Sequence, residues 1–247
     1  EPYLKQCIDS IKQQTFDDFE VLAILDCPTD NSEVLLRELA DERFRIIKNE
    51  KKLGLAACCN NILELSNCSL IARMDADDIM LPLRIERQLE FLTEHPDIDI
   101  LGTYFEEIDP NGKQTAKPFP MPLKHEDILD AFRRMSVMHH PTVMYRRDRI
   151  RSLGGYDTTY PLAQDLDLWF RCFLNNFRFA NLPEVLLHYR VYPGRLTSRK
   201  LEIQLQMVDR AYAIYGKQIW GEQAPDFVSG INPWHRLWRR IKRKLSN

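Results

Sequence analysis

The sequence predicts an α/β protein: a mainly parallel sheet flanked by helices, with a smaller antiparallel portion in the second half. Between residues 3 and 103, helical and strand patterns alternate, the order that yields parallel strands covered on both faces. Beyond residue 103 that alternation gives way to turns, short extended runs and paired glycines. Acidic residues fall just past two strand patterns, where open α/β sheets bind their ligands.

Taken in order, residues 3–14 read as a helix with Leu4, Cys7, Ile8 and Ile11 on one face. A strand over 19–25 follows, and the cap-like cluster Asp30-Asn31-Ser32 opens a second helix. Next come a strand at 44–48, a helix at 54–65, a strand at 70–74, a helix at 82–94 and a strand at 98–103. Asp109-Pro110-Asn111-Gly112 is a turn, read as a hairpin tip. Residues 124–134 read as helix, 140–146 as extended, and Gly154-Gly155 as a sharp turn. A helix over 166–175 presents Leu168, Trp169, Cys172 and Phe173 to the core; a strand at 185–191 and a long helix at 198–215 complete the pattern.

With 247 residues and a formal net charge of −2, the chain is long enough for a sizeable core and shows no global signature of nucleic-acid binding. No run approaches the ~20 apolar residues of a membrane span. The chain opens Glu1-Pro2-Tyr3-Leu4, with neither an initiator Met nor a charged leader. A helix at the very start leads to the expectation that residues are missing upstream. The six cysteines show no Cys-x-x-Cys spacing and read as reduced, buried thiols of a cytosolic enzyme rather than disulfides or a zinc site.

The chemistry concentrates at Asp75-Ala76-Asp77-Asp78. Three carboxylates crowded at a strand end repel one another unless a cation is bound. Hard divalent cations take oxygen ligands and bridge diphosphate oxygens, which points to a nucleotide-activated substrate. The tail differs in kind. Residues 233–247 hold no acid, carry six Arg and Lys, and place Trp234, Leu237, Trp238, Ile241 and Leu245 at spacings of three and four. Such a basic amphipathic helix suits an anionic membrane surface; a terminal helix in solvent or docked on its own domain is the other reading.

Several ordered blocks resemble family 2 glycosyltransferases of the GT-A fold, the bacterial surface-polysaccharide type. They are Phe19-Glu20-Val21, Asp26-Cys27-Pro28-Thr29-Asp30-Asn31-Ser32, Gly54-Leu55-Ala56-Ala57 with Asn60, and Asp75-Ala76-Asp77-Asp78, then His140-Pro141-Thr142-Val143-Met144, Gly154-Gly155-Tyr156-Asp157 and Gln164-Asp165-Leu166-Asp167-Leu168-Trp169. The resemblance spans residues 3 to 200. It implies a GT-A domain over 1–215 and an extension over 216–247.

The resemblance also implies roles. Asp26 accepts a hydrogen bond from the nucleotide base, Asp75 lies by the ribose or the metal's water shell, Asp77 ligates Mg²⁺ or Mn²⁺, and Asp78 supports the loop or caps the following helix. Asp165 is the base that takes the acceptor hydroxyl's proton in an inverting transfer; its place at a helix start is expected to lower its pKa. Arg190 resembles a family arginine near the diphosphate, and Arg195 and Ser198 fall on a closing loop. Tyr192 stands where many relatives have a histidine that completes the metal shell. Lys48 and Arg73 read equally as phosphate contacts or solvated cations, and His140 as a core or functional histidine. The family's first strand is not present, so an incomplete nucleotide pocket is expected.

The implied activity moves a sugar from a UDP- or GDP-sugar to a glycan or lipid-linked acceptor in the cytoplasm, on the inner face of the cell membrane. A non-catalytic sugar-nucleotide-binding module derived from such enzymes is the alternative, though Asp165 argues against it. A dehydrogenase is disfavoured because no Gly-x-Gly-x-x-Gly follows a strand.

Overall fold

The computed structural model describes residues 1–118, 120–195 and 200–225. Helix α1 (Leu4–Lys12) leads to β1 (Val21–Leu25), α2 (Ser32–Leu39), β2 (Phe44–Lys48), α3 (Leu55–Leu65) and β3 (Leu70–Ala72). The chain continues through β4 (Ile79–Met80), α4 (Arg84–Glu94), β5 (Ile100–Ile108), α5 (His125–Ala131), β6 (Met144–Arg146), α6 (Arg147–Ser152), α7 (Gln164–Leu174), β7 (Phe179–Arg190) and α8 (Leu201–Trp220). The α/β class and the flanking helices agree with the expectation.

The sheet is more mixed than a mainly parallel one. Strands β1 and β2 form a parallel pair of their own, and the other five lie in the order β3-β6-β5-β7-β4. Within those five only β5 and β7 run parallel; β3·β6, β5·β6 and β4·β7 are antiparallel. Among the described residues no strand pairing joins the two sheets.

Strand β7 begins six residues before the expected 185. Its register with β5 slips between Thr103 and Phe105, where partner numbering jumps from Leu182 to Val185 and then to Leu187. Pro183 and Glu184 are left over at that bulge, the position a proline can occupy without breaking a ladder. Helix α8 runs through residue 215 to Trp220, whose ring packs on Phe170 at 5.6 Å and Tyr212 at 6.2 Å.

Most of the core lies between the five-stranded sheet and helices α5, α7 and α8, around the fully buried Trp169, Phe170 and Phe132. A second cluster under α4 holds Leu92, Ile98 and Leu101. The β1–β2 pair rests on a much smaller group, Ile8, Leu25 and Leu36.

One joint fixes the site's back wall. Asn60 on α3 accepts a 2.7 Å bond from the Tyr156 N–H and donates a 2.9 Å bond to the Tyr156 carbonyl. The neighbouring Gly155 has φ +71°, and a Cβ there would stand 2.4 Å from Asn60 Oδ1. Asn60→Ala is therefore expected to cost ~2 kcal/mol of unfolding free energy in urea denaturation, and Gly155→Ala a similar amount. A loss below ~0.5 kcal/mol for both would remove the joint from the fold's supports.

Candidate functional site

Asp26 follows the last residue of β1 and sits at the carboxyl end of the β1–β2 pair. Its Oδ1 accepts bonds from Leu53 N–H at 2.7 Å and Asn49 Nδ2 at 2.9 Å, and its Oδ2 accepts one from Gly54 N–H at 2.9 Å. These bonds outweigh burial, which acts the other way, and hold the carboxyl below the ordinary range. Oδ2 keeps one lone pair, enough for one further N–H donor. A cleft of about 420 Å³ opens alongside, lined by Cys27, Pro28, Glu33, Lys48, Asn49 and Glu50. Lys48 itself is spent on Glu33 at 2.6 Å. A larger groove of about 550 Å³ lies at the opposite, amino-terminal ends of β1 and β2, away from the acids.

The acid loop connects β3 to β4. Asp75, Asp77 and Asp78 each offer a carboxylate oxygen, and these atoms lie within 4.8 Å of one another. Burial and then the neighbouring Asp75 charge raise the pKa of Asp77, and the same causes lift Asp78 to about 8. Asp77 Oδ2 accepts a 3.1 Å bond from the Tyr192 hydroxyl and lies 4.0 Å from Arg195 Nε. Arg195 in turn stacks 3.9 Å over the Tyr189 ring. Asp78 is fully buried; its Oδ1 accepts the Arg190 backbone N–H at 2.8 Å, and its Oδ2 is without a partner among the described residues. It does not cap α4: the N-cap residue Leu83 makes no side-chain cap bond, and the Ile85 N–H of the first turn is taken by the Gln14 side-chain oxygen. Clustered oxygen donors, raised carboxyl pKa values and an orphaned buried carboxylate oxygen all fit a hard divalent cation.

Arg190 does not reach towards a diphosphate. It is fully buried, and its guanidinium donates to the carbonyls of Asp77 (2.9 Å), Asp109 (3.0 Å) and Pro110 (3.1 Å) and to Gln6 Oε1 (2.6 Å). It also lies 4.4 Å over the Tyr3 ring. Its donors brace the acid loop from behind. Two other arginines meet the loop's carboxylates, Arg73 at Asp75 and Arg195 at Asp77; Ser198 lies outside the described residues.

Asp165 sits in the first turn of α7, partly exposed, beside the loop's electrostatic field. Burial lifts its carboxyl above the ordinary range; the Leu166 N–H and then the Arg73 charge pull it down, and Asp75 pushes it up. The expected lowering at a helix start is thus outweighed by burial. Asp167, by contrast, is structural: it binds Arg171 at 2.8 Å and accepts a 2.8 Å bond from the Tyr215 hydroxyl.

Helix α3 connects the corners. Cys58 lies in the field of Asp26, while the adjacent Cys59 lies in that of Arg73, Asp75 and Asp165. Burial first, then these acids, raise the two thiols to about 11 and about 12, which keeps them protonated. Among the described residues, two of the three non-glycine positions with positive φ flank the site: Cys27 (φ 54°) directly follows Asp26, and Ala163 (φ 56°) precedes Asp165 by two. Strained backbone of this kind gathers at functional positions. Asn49 and Gln6 were not singled out from the sequence. Asn49 stood one residue past a strand, the same signal that marked Asp26; nothing marked Gln6.

The sheet is mixed, carboxylates stand at its strand ends, and another sits at the start of α7. The model of "Glycosyl transferase family 2" matches residues 1–154, and the chain belongs to that family. It is 33% identical over 213 residues to the amylovoran biosynthesis glycosyltransferase AmsE of Erwinia amylovora, covering 82% of this chain and 78% of that one. It is 31% identical over 195 residues to an Escherichia coli UDP-Gal:α-D-GlcNAc-diphosphoundecaprenol β-1,3-galactosyltransferase, covering 76% of this chain and 68% of that one. The fold matches mannosyltransferase PcManGT from Pyrobaculum calidifontis, solved with GDP-Man and Mn²⁺, with TM-score 0.65 and 16% identity over 86% of this chain and 60% of that one. The chain is a glycosyltransferase.

His139 adds a pH dependence. Burial and then the Arg195 charge push it down to about 4, against ~6.5 in the unfolded chain. A depressed histidine contributes stability that is complete above the unfolded value and lost as pH falls through the folded one. Between about pH 6.5 and 4 the fold should lose ~3 kcal/mol from this residue. His139→Phe, which keeps the ring between Phe105 and Tyr189, is expected to flatten the fall of Tm over that range; an unchanged slope would move the effect elsewhere.

Proposed function

We propose that this chain transfers a sugar, with inversion, from a UDP- or GDP-sugar to a hydroxyl of a glycan or lipid-linked acceptor in the building of cell-surface polysaccharide. The observation that carries this reading is the shared field of Asp165 and the Asp75–Asp78 loop, with the Arg73 cation acting on both Asp75 and Asp165. One end suits a diphosphate, the other an acceptor proton.

Asp26 uses its remaining lone pair for the base's imide N–H, and Asp75 lies towards the ribose. Asp77, with Asp75, would hold Mg²⁺ or Mn²⁺, which when bound neutralises diphosphate charge and stabilises the departing nucleotide. Asp165 accepts the acceptor's O–H proton while that oxygen forms its bond to the anomeric carbon. The bond from that carbon to the diphosphate oxygen breaks, and the nucleoside diphosphate leaves with its electron pair. Burial, which raises its carboxyl pKa, makes Asp165 a stronger base. Arg190 serves this scheme as the brace of the Asp77 loop.

The relatives support the scheme by what their names state: a UDP-Gal donor and a diphosphoundecaprenol acceptor for one, amylovoran biosynthesis for another. No helix among the described residues is long and apolar enough to cross a membrane. The basic amphipathic segment at 233–247 lies outside the described residues; we assign it to peripheral contact with an anionic leaflet on sequence grounds.

Asp77→Asn is expected to abolish Mn²⁺-dependent donor hydrolysis across a UDP- and GDP-sugar panel, and hydrolysis that survives excess chelator would defeat the cation assignment. Asp165→Asn should keep donor binding in calorimetry and lose transfer by at least ~10²-fold, whereas an equal loss of binding would make Asp165 structural. Truncation before Trp234 should release the protein from anionic vesicles in a sedimentation assay; continued co-sedimentation would sink the membrane role.

A further inference from the structure

The two carboxylate oxygens of Asp26 have four lone-pair sites between them, and three are filled. Oδ1 takes the Asn49 side-chain amide at 2.9 Å and the Leu53 N–H at 2.7 Å, and Oδ2 takes the Gly54 N–H at 2.9 Å. Two of these donors are backbone groups leading into α3; Asn49 is the one that belongs to a side chain. Its orientation follows from chemistry. A carboxylate only accepts, so the amide turns its NH₂ to Asp26 and leaves its oxygen to Asn61 Nδ2 at 3.5 Å. The same NH₂ lies 3.5 Å from the Cys58 sulfur. The Asn49 backbone is also held: its N–H donates to the Leu25 carbonyl at 3.0 Å, one residue beyond β2, and its carbonyl accepts from the Cys27 thiol at 3.5 Å.

The fourth site, on Oδ2, is open. Asp26 is partly exposed, and its neighbours Cys27 and Asn49 both line the cleft of about 420 Å³, so the open site borders a space that a ligand can enter. Nucleobases differ in what they present to such an acceptor. Guanine offers two donors side by side, N1–H and the N2 amino group, which suit a carboxylate with one open site on each oxygen. Uracil offers a single imide N–H between two carbonyls. Cytosine offers an amino group beside the bare N3 acceptor, which a carboxylate repels. A carboxylate with Oδ1 full and one site open on Oδ2 matches the single donor. Guanine's second donor would face a filled oxygen, and a donor left unpaired on binding costs affinity.

Resting on the function proposed above, we infer that Asn49 sets the base of the sugar donor: by filling Oδ1 it makes Asp26 a reader of one donor, which takes uridine diphosphate sugars and turns guanosine diphosphate sugars away. Asn49 acts through Asp26, as a positioning residue that determines specificity.

The test is calorimetry on the full chain in Mn²⁺-containing buffer with UDP, GDP and CDP. Wild type is compared with Asn49→Leu, which keeps the side chain's bulk and removes the donor. Wild type should bind UDP at least about tenfold more tightly than GDP or CDP. Asn49→Leu frees a site on Oδ1, so the UDP-to-GDP affinity ratio should fall about tenfold while CDP stays weak. A merely structural Asn49 would lower all three affinities alike and leave the ratio in place, and that result overturns the inference. A wild type that binds GDP as tightly as UDP overturns it too, while leaving the function standing. If Asn49→Leu gives no cooperative melt, Asn49→Ser, too short to reach Asp26, carries the same expectation. Failure of the wild type to bind any of the three nucleotides would overturn the function itself.

Discussion

The site depends on the way one buried arginine ends a strand. Arg190 closes β7, and its guanidinium has no water to fall back on, so each donor must find an oxygen or leave a costly orphan. It finds the Asp77 carbonyl, the Asp109–Pro110 turn and Gln6 of α1, while its backbone N–H goes to Asp78. One residue thereby ties the acid loop to a strand end, a hairpin and the first helix. Carboxylates that repel one another stay in place because their backbone is pinned from beneath.

A second buried arginine pins the same loop at its other end. Arg84 donates to the Arg73 carbonyl at 2.8 Å and to Gln88, and Gln88 donates to the carbonyls of Leu101 and Thr142. Burial pushes Arg84 down to about 9, with the Asp78 charge resisting. The loop therefore lies between cations below it and beside it. Removing a carboxylate would leave these cations poorly matched, so loop acidity serves the fold as well as the chemistry.

The parts of this architecture that depend on local pattern were legible in the chain. Strand β2 (Phe44–Lys48) coincides with its predicted span, and α3 falls within one residue, because hydrophobic periodicity and flanking turns decide them. The acid run and Asp26 were legible because strand-end carboxylates are conspicuous without any tertiary information. What escaped was set by long-range packing. The early start of β7 was hidden by Pro183, which reads as a breaker until its bulge is seen. The antiparallel pairings arise from strands that follow irregular connections, where no period reports direction. Arg190 read as an arginine near the diphosphate, whereas its guanidinium is taken up by backbone carbonyls and Gln6, since side-chain partners at a strand end depend on what packs there. Burial likewise reversed the pKa shift expected for Asp165 from its helix position.

The separate β1–β2 pair carries a dynamic consequence. A two-stranded sheet is marginal alone, and this one has only Ile8, Leu25 and Leu36 as buried support, against the broad cluster around Trp169. Unequal support of this kind divides a domain into cooperative units that open at different free energies. The Asp26 corner rides on the weaker unit and the acid loop on the stronger one. A ligand spanning both would act as a crosslink, raising the opening free energy of the weaker half far more than that of the stronger. Amide exchange in β1 and β2 would then serve as the chain's most sensitive gauge of occupancy.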